Sequence, residues 1–194
     1  MQLANSKTYR NLAATFAGES QARNRYKFME YGARQQGFIA MADLIDNVEK
    51  NEFNHARMFY THIQKASNAE IKNIDITAGY PFKQKWDLME NLRIAAEDEG
   101  NEVKLYTEFE KTATEEGFTD IAKLYRDTIQ VENCHKMLFQ QLYDQMKSGT
   151  MYKQPNPVKW KCADCGYEAI AKEAWKICPL CEAKQGAVML QIQD

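Results

Sequence analysis

Residues 9–66, laid over residues 89–146 with a constant offset of 80 and no gap, agree at 13 of 58 positions. Self-similarity over such a stretch implies two copies of one supersecondary unit that bury their apolar faces against each other. The matches include Leu12 with Leu92, Glu19 with Glu99, Tyr26 with Tyr106, Gly37-Phe38 with Gly117-Phe118, Glu52 with Glu132, His55 with His135 and Phe59 with Phe139. Apolar matches serve a core. The polar ones need a different reason.

Each copy reads as a helix hairpin. Apolar periodicity and breakers place helices near 6–36, 38–66, 86–116 and 118–147, with Gly37 and Gly117 at the sharp turns. Between the second and third helices, residues 67–85 contain Gly79 and Pro81 and are too many for a tight turn. Two hairpins joined by one long crossover is the connectivity of a ferritin-like four-helix bundle. Residues 1–147 are expected to form it. Residues 148–158, with Gly149, Pro155 and Pro157, read as a linker, and residues 159–194 are too few to fold without a staple.

Both copies contain a Glu, and 33 residues later a Glu-x-x-His: Glu19 with Glu52 and His55, Glu99 with Glu132 and His135. Residues three apart on a helix share a face, so each Glu-x-x-His offers two ligands to one place. The faces in question are the core seams. On the second helix the stripe runs Met41, Ile45, Val48, Glu52, His55, Phe59, and on the fourth Ile121, Tyr125, Thr128, Glu132, His135, Phe139, Leu142, Met146. The first and third repeat the theme with Leu12, Phe16, Glu19, Ala22, Tyr26 and with Leu92, Ala95, Glu99, Glu102, Tyr106, Phe109, Ala113.

Five carboxylates in one dry core, Glu19, Glu52, Glu99, Glu102 and Glu132, are intolerable unless cations compensate them. Two ferrous ions leave one negative charge in excess, and two ferric ions with a bridging oxide leave the same, so the site can change by two electrons at constant net charge. Mixed carboxylate and imidazole ligation suits iron or manganese. The halves differ at one place, because Glu102 has Ala22 as its counterpart and is therefore a spare carboxylate. Tyr26 and Tyr106 lie one or two turns from ligands on the same faces, where they either hydrogen-bond those ligands or simply fill the core. His62 has no match in the repeat and reads as an interhelical or surface histidine, and Cys134 as a small core residue.

A net charge of −2, from 25 Lys and Arg against 27 Asp and Glu, leaves no basic excess for nucleic acid or an anionic membrane surface. The sequence holds no apolar run of membrane-spanning length, and its first ten residues are polar, so the chain is expected in the cytoplasm. In a reducing compartment, Cys162-x-x-Cys165 and Cys178-x-x-Cys181 suit a tetrahedral four-thiolate metal site better than disulfides. Gly166 permits the left-handed turn after the first pair. Spacing alone does not separate zinc from iron there.

Taken together, the chain resembles the rubrerythrin family, a ferritin-like di-iron bundle followed by a rubredoxin-like iron domain. The resemblance covers Glu19, Glu52-x-x-His55, Glu99-x-x-Glu102, Glu132-x-x-His135, Cys-x-x-Cys-Gly-Tyr and Cys-Pro-x-Cys, in that order. The twelve residues between Cys165 and Cys178 are fewer than in free-standing rubredoxins but agree with rubrerythrin tails. It implies two non-haem irons in the bundle and a single electron-relaying iron on the four cysteines. It also implies a peroxidase that reduces hydrogen peroxide to water, fed by a reductase or rubredoxin, in which one iron exchanges between Glu102 and His55.

The ligands lie about 18 Å along the fourth helix from its end, so the tail must either fold back or serve a second copy; a head-to-tail homodimer is expected. Two rivals remain. An iron-oxidising or iron-storing ferritin-like protein has no need of an electron-delivering tail. A non-enzymatic module with structural zinc leaves the core carboxylates without a purpose.

Overall fold

The computed structural model describes residues 2–67, 70–82 and 87–193. Its described part holds four long helices, α1 (Lys7–Gln35), α2 (Ile39–Lys65), α3 (Leu88–Glu115) and α4 (Thr119–Ser148), then strands β1 (Lys153–Lys161) and β2 (Glu168–Glu173). Ser6 caps α1 by accepting from the Tyr9 amide, and Asp87 caps α3 by accepting from the Glu90 amide. The expected start of the third helix at residue 86, and crossover residues 68, 69 and 83–85, lie outside the described residues.

Both hairpin turns are built alike. Gly37 and Gly117 adopt φ of 84° and 85°. The following amides of Phe38 and Phe118 reach back to the Ala33 and Ala113 carbonyls at 3.0 and 2.8 Å, closing each helix with a left-handed cap. Each phenylalanine then precedes the first residue of the next helix, so the two copies share their geometry as well as their residues.

Within the bundle, α1 packs on α2 and α3, and α4 on α3 and α2. One apolar cluster joins Met29 and Ala33 near the end of α1 to Leu88 and Leu92 at the start of α3 and to Phe139 and Leu142 near the end of α4. A second joins Leu12, Phe59, Ile63, Ala113, Ile121 and Tyr125 at the opposite end. Hence α1 runs parallel to α4, and α2 parallel to α3. The crossover must travel the length of the bundle, and its Ile71, Ile74 and Ile76 pack on the second cluster. The carboxylates occupy the layer between the two clusters.

The expected seams are largely the buried ones: on α4 every residue of the stripe from Ile121 to Leu142 is buried, while Phe16, His55, Glu102, Phe109 and Met146 are half-buried. Cys134 is the exception to the sequence reading, for it is exposed. It precedes His135 by one residue, and a step of about 100° around the helix turns it off the seam.

The segment expected as a linker is largely strand. β1 pairs antiparallel with β2, Trp160 opposite Ala169 and Val158 opposite Ala171, and the register shifts between Lys153 and Val158. Pro155 and Pro157 fall in that shift, where amides missing from the ladder are tolerated. Trp160 is fully buried against Ala174 and Val188, and its Nε1 donates to the Ala171 carbonyl at 3.1 Å. The tail folds back on the end of its own bundle: Met151, Tyr152, Leu190 and Ile192 join the first cluster. Gly186 meets the α1–α2 turn so closely that a Cβ there would lie 1.7 Å from the Gly37 carbonyl oxygen.

Candidate metal centres

The four helices bring two overlapping quartets together, Glu19, Glu52, His55 and Glu132, and Glu52, Glu99, Glu132 and His135, each with ligand atoms within 4.8 Å of one another. Glu52 and Glu132 belong to both. The Nδ1 of His55 lies 3.4 Å from Glu52 Oε2 and 3.0 Å from Glu132 Oε1; the Nδ1 of His135 lies 2.9 Å from Glu52 Oε1 and 2.8 Å from Glu132 Oε2. Each of these carboxylates thus turns one oxygen to each position, as a bridging ligand does. Glu19 Oε2 completes the first position at 3.5 Å from His55, and Glu99 Oε2 the second at 3.8 Å from His135. Ligand atoms about 2.1 Å from a common ion sit about 3 Å apart when adjacent, close to these spacings.

The oxygens not turned inward are braced. Tyr106 donates to Glu19 Oε1 at 2.7 Å, and Tyr26 donates to Glu99 Oε1. Each tyrosine comes from the other hairpin than the glutamate it holds. Both tyrosines therefore lie within hydrogen-bond reach of the quartets, the first of the two alternatives their spacing left open. The atoms left without hydrogen-bond partners are Glu19 Oε2, both oxygens of Glu52 and of Glu132, Glu99 Oε2 and the two histidine Nδ1 atoms. That pattern fits a pair of cations: every orphaned atom of the quartets points to one of two places.

Glu102 lies outside both quartets, with its Oε2 sealed from water and unpartnered. Burial pushes its carboxyl well up, aided by Glu99 and Glu19, and does the same to Glu19, where Glu52 adds to it. Burial raises Glu99 to about 8. Burial works against charge on Glu52 also, yet its contacts with His135 and His55 hold it below the usual range. His135 loses ease of protonation by burial, but Glu132 and Glu52 push it up to about 12, and His55 is raised by Glu132, Glu19 and Glu52 in the same way. Divalent cations replace the protons this cluster otherwise shares.

Two partners escaped the sequence reading. Asn51 stands with its side-chain amide 3.2 Å from His135 Nε2. An imidazole that offers Nδ1 to a metal carries its proton on Nε2, so the Asn51 carbonyl oxygen is the group that should face it. Arg25 makes a nearly buried ion pair with Asp98 at 2.8 Å and donates to Gln21 at 2.6 Å. Neither residue recurs in the repeat, so periodicity gave no signal for them. His62 sits apart, 3.6 Å from Asp120 at the start of α4.

In the tail, Cys162, Cys165, Cys178 and Cys181 converge, with Sγ separations of 3.8 Å for Cys162 to Cys181 and 3.6 Å for Cys165 to Cys178. A tetrahedron of thiolates about 2.3 Å from a metal has edges of about 3.8 Å. Amides point at sulfur as the knuckles require: Tyr167 at Cys165, and Cys181 and Leu180 at Cys178, which lowers Cys178 to about 7 against the upward push of burial. Gly166 has φ of 76°, and Glu182, its counterpart after the second pair, adopts 62° without being glycine.

A four-helix bundle with a carboxylate-bridged pair of histidine positions and a four-thiolate tail defines a ferritin-like dinuclear metalloprotein with a second, mononuclear centre. The family model for rubrerythrin matches residues 10–89 and again 90–175. Rubrerythrin of Clostridium perfringens is 35% identical over 180 residues, 92% of this chain and 91% of the relative, and that of Porphyromonas gingivalis is 35% identical over 181 residues, 93% and 88%. A solved structure of nigerythrin in a mixed-valence state shares the fold at a TM-score of 0.62 and 22% identity, covering 98% of this chain and 94% of its own. The chain belongs to the rubrerythrin family. Its carboxylate–histidine quartets and four cysteines fit that family's iron cofactors, two non-haem irons in the bundle and one in the tail. Among the described residues no helix is long and apolar enough to cross a membrane.

Proposed function

We propose that the protein is a cytoplasmic non-haem peroxidase, serving oxidative stress defence, that reduces hydrogen peroxide to two waters with electrons relayed through the tail iron. The observation that carries this reading is the pairing of two unlike centres in one chain. Peroxide requires two electrons and two protons. A ferrous pair, when bound, supplies both electrons together and Lewis-acid sites for the oxygens, whereas a lone thiolate iron passes electrons singly.

Glu52 and Glu132 would be shared by the two positions of the pair, Glu19 with His55 and Glu99 with His135 would complete them, and Cys162, Cys165, Cys178 and Cys181 would hold the relay iron. Tyr106 and Tyr26 fix the terminal carboxylates Glu19 and Glu99 through their hydroxyl protons. His55, turned in, and Glu102, outside the quartets, would be alternative ligands for the Glu19 position. Glu102, whose protonated form burial favours, would hand one of the two protons from its carboxyl to the departing oxygen, the second coming from solvent. The tail docks at the end of its own bundle, so we infer that electrons reach the pair from the tail of a second copy in a head-to-tail homodimer, after delivery by a reductase or rubredoxin.

The test is a visible spectrum of the anaerobically reduced protein, at full iron loading, on adding one equivalent of hydrogen peroxide or of oxygen. Colour returning faster with peroxide supports the peroxidase. Faster oxidation by oxygen favours the iron-handling alternative.

A further inference from the structure

Between α1 and α3, under the crossover residues 77–81, lies a cavity of about 590 Å³ whose floor includes Glu102 and Tyr106. From this cavity, Tyr106 leads directly to Glu19 of the first quartet. The cavity exists because α1 is small where α3 approaches it. Ala14 and Gly18 line it, and among the described residues beyond its own stretch of helix a Cβ built at Gly18 would meet just the Tyr106 hydroxyl, at 4.0 Å. A glycine inside a long helix costs stability and needs a reason.

The repeat sharpens that reason. The offset of 80 pairs Gly18 with Asp98, Ala22 with Glu102 and Arg25 with Leu105. The cavity thus straddles the symmetry axis of the bundle, yet it is chemically one-sided. At one end Arg25 and Asp98 form an ion pair with side chains 10% exposed; at the other stand glycine and leucine. Arg25 gives Nη1 to Asp98 and Nε to Gln21, and its Nη2 is sealed from solvent, so this end of the chamber is closed. A half-apolar chamber whose lining includes a carboxyl suits a small neutral guest.

We propose that this chamber is the entry and binding site for a neutral hydroperoxide, which it brings to Glu102, and that Gly18 is the residue that keeps the way open. The inference rests on the peroxidase reading for the identity of its ligand, but not for the route. Its volume exceeds what hydrogen peroxide needs, so small organic hydroperoxides such as tert-butyl hydroperoxide enter as well.

Gly18→Leu fills the chamber from α1. Gly32→Leu is the matched control, because Gly32 lies on the same helix, has nothing within 4 Å of its Cβ and lines a different cavity. The readouts are the rate at which azide changes the visible spectrum of the diferric protein, which does not depend on peroxidase activity, and the rates at which hydrogen peroxide and tert-butyl hydroperoxide oxidise the reduced protein. Gly18→Leu is expected to slow azide and hydrogen peroxide about tenfold and the bulkier hydroperoxide more, while Gly32→Leu stays within about twofold. If Gly18→Leu loses iron, Leu105→Trp obstructs the chamber from α3 and must give the same result. A fully loaded Gly18→Leu protein with wild-type azide and peroxide rates overturns the proposal, as does a wild-type protein that takes up no azide. A wild type that prefers oxygen to peroxide, with azide still slowed by Gly18→Leu, overturns the peroxidase reading and leaves the route standing.

Discussion

The two hairpins of the bundle share their turns, seams and the glutamates common to both quartets, and differ at two places, and in the exposure of one matched pair, that all bear on the metal site. The second supplies Glu102 where the first has Ala22. The first supplies Asn51, which braces His135, where the second has Val131, a side chain unable to brace His55. The side chain of His55 is 14% exposed and that of His135 5%. One position is therefore braced and closed, and the other is more open, with no amide at the place that corresponds to Asn51. Duplication makes two equal positions; the departures from it make them unequal.

The largest break in this comparison comes from what the halves share. Glu52→Ala removes an oxygen from both quartets, so iron analysis should find the bundle empty of both ions and peroxide turnover abolished, with the tail iron retained. Loss of one ion alone contradicts the bridging role.

Glu102→Ala attacks the difference instead. It should leave two irons in the bundle and slow peroxide turnover by about tenfold to a hundredfold, the range typical of a positioned proton donor or supporting ligand. An iron-free bundle contradicts its place as a spare ligand, and unchanged turnover contradicts its role.

Stripping the metals erases the difference and exposes the shared charge problem. Glu19, Glu99 and Glu102 have folded values above those of a free glutamate, with Glu99 at about 8. The folded apo form therefore binds more protons than the unfolded chain, and the stability this gives below about pH 4 is lost as pH rises through 8. The raised histidines act in the same direction, from about pH 6.5 upward. The depressed Glu52 opposes them only at acid pH. The melting temperature of chelator-treated protein should fall steadily from about pH 5.5 to 8.5, whereas that of the iron-loaded protein should not, since metal binding gains as the ligands lose protons. A stripped protein indifferent to pH contradicts the shared-proton picture.

The smallest effect belongs to Asn51→Ala, which should weaken metal retention at the His135 position up to about tenfold and bring the two positions closer in affinity; competition with a chelator reads this directly.

Much of the site was legible in the sequence because a helix repeats every 3.6 residues: a glutamate or histidine in phase with Ile121, Tyr125 and Phe139 has to point inward. The same logic does not give distances between helices. Arg25 with Asp98, Asn51 with His135, and the cavity at Gly18 are interhelical facts, set by how α1 meets α3 and α2 meets α4. Cys134 shows the limit within one helix, since one residue of phase moves a side chain from core to solvent. Pro155 and Pro157 misled in the other direction: they read as linker but are tolerated in a two-stranded ribbon that has no inner strand. The docking of the tail through Gly186 left no pattern at all.

The inequality of the two halves is tested most directly by crystal structures of the iron-loaded protein, one reduced anaerobically and one after a single equivalent of hydrogen peroxide. The account predicts that the ion at Glu99 and His135 keeps its ligands in both, while the ion at Glu19 is bound by His55 in the first and Glu102 in the second. Two ions with the same ligands in both structures, or two that move alike, would contradict it.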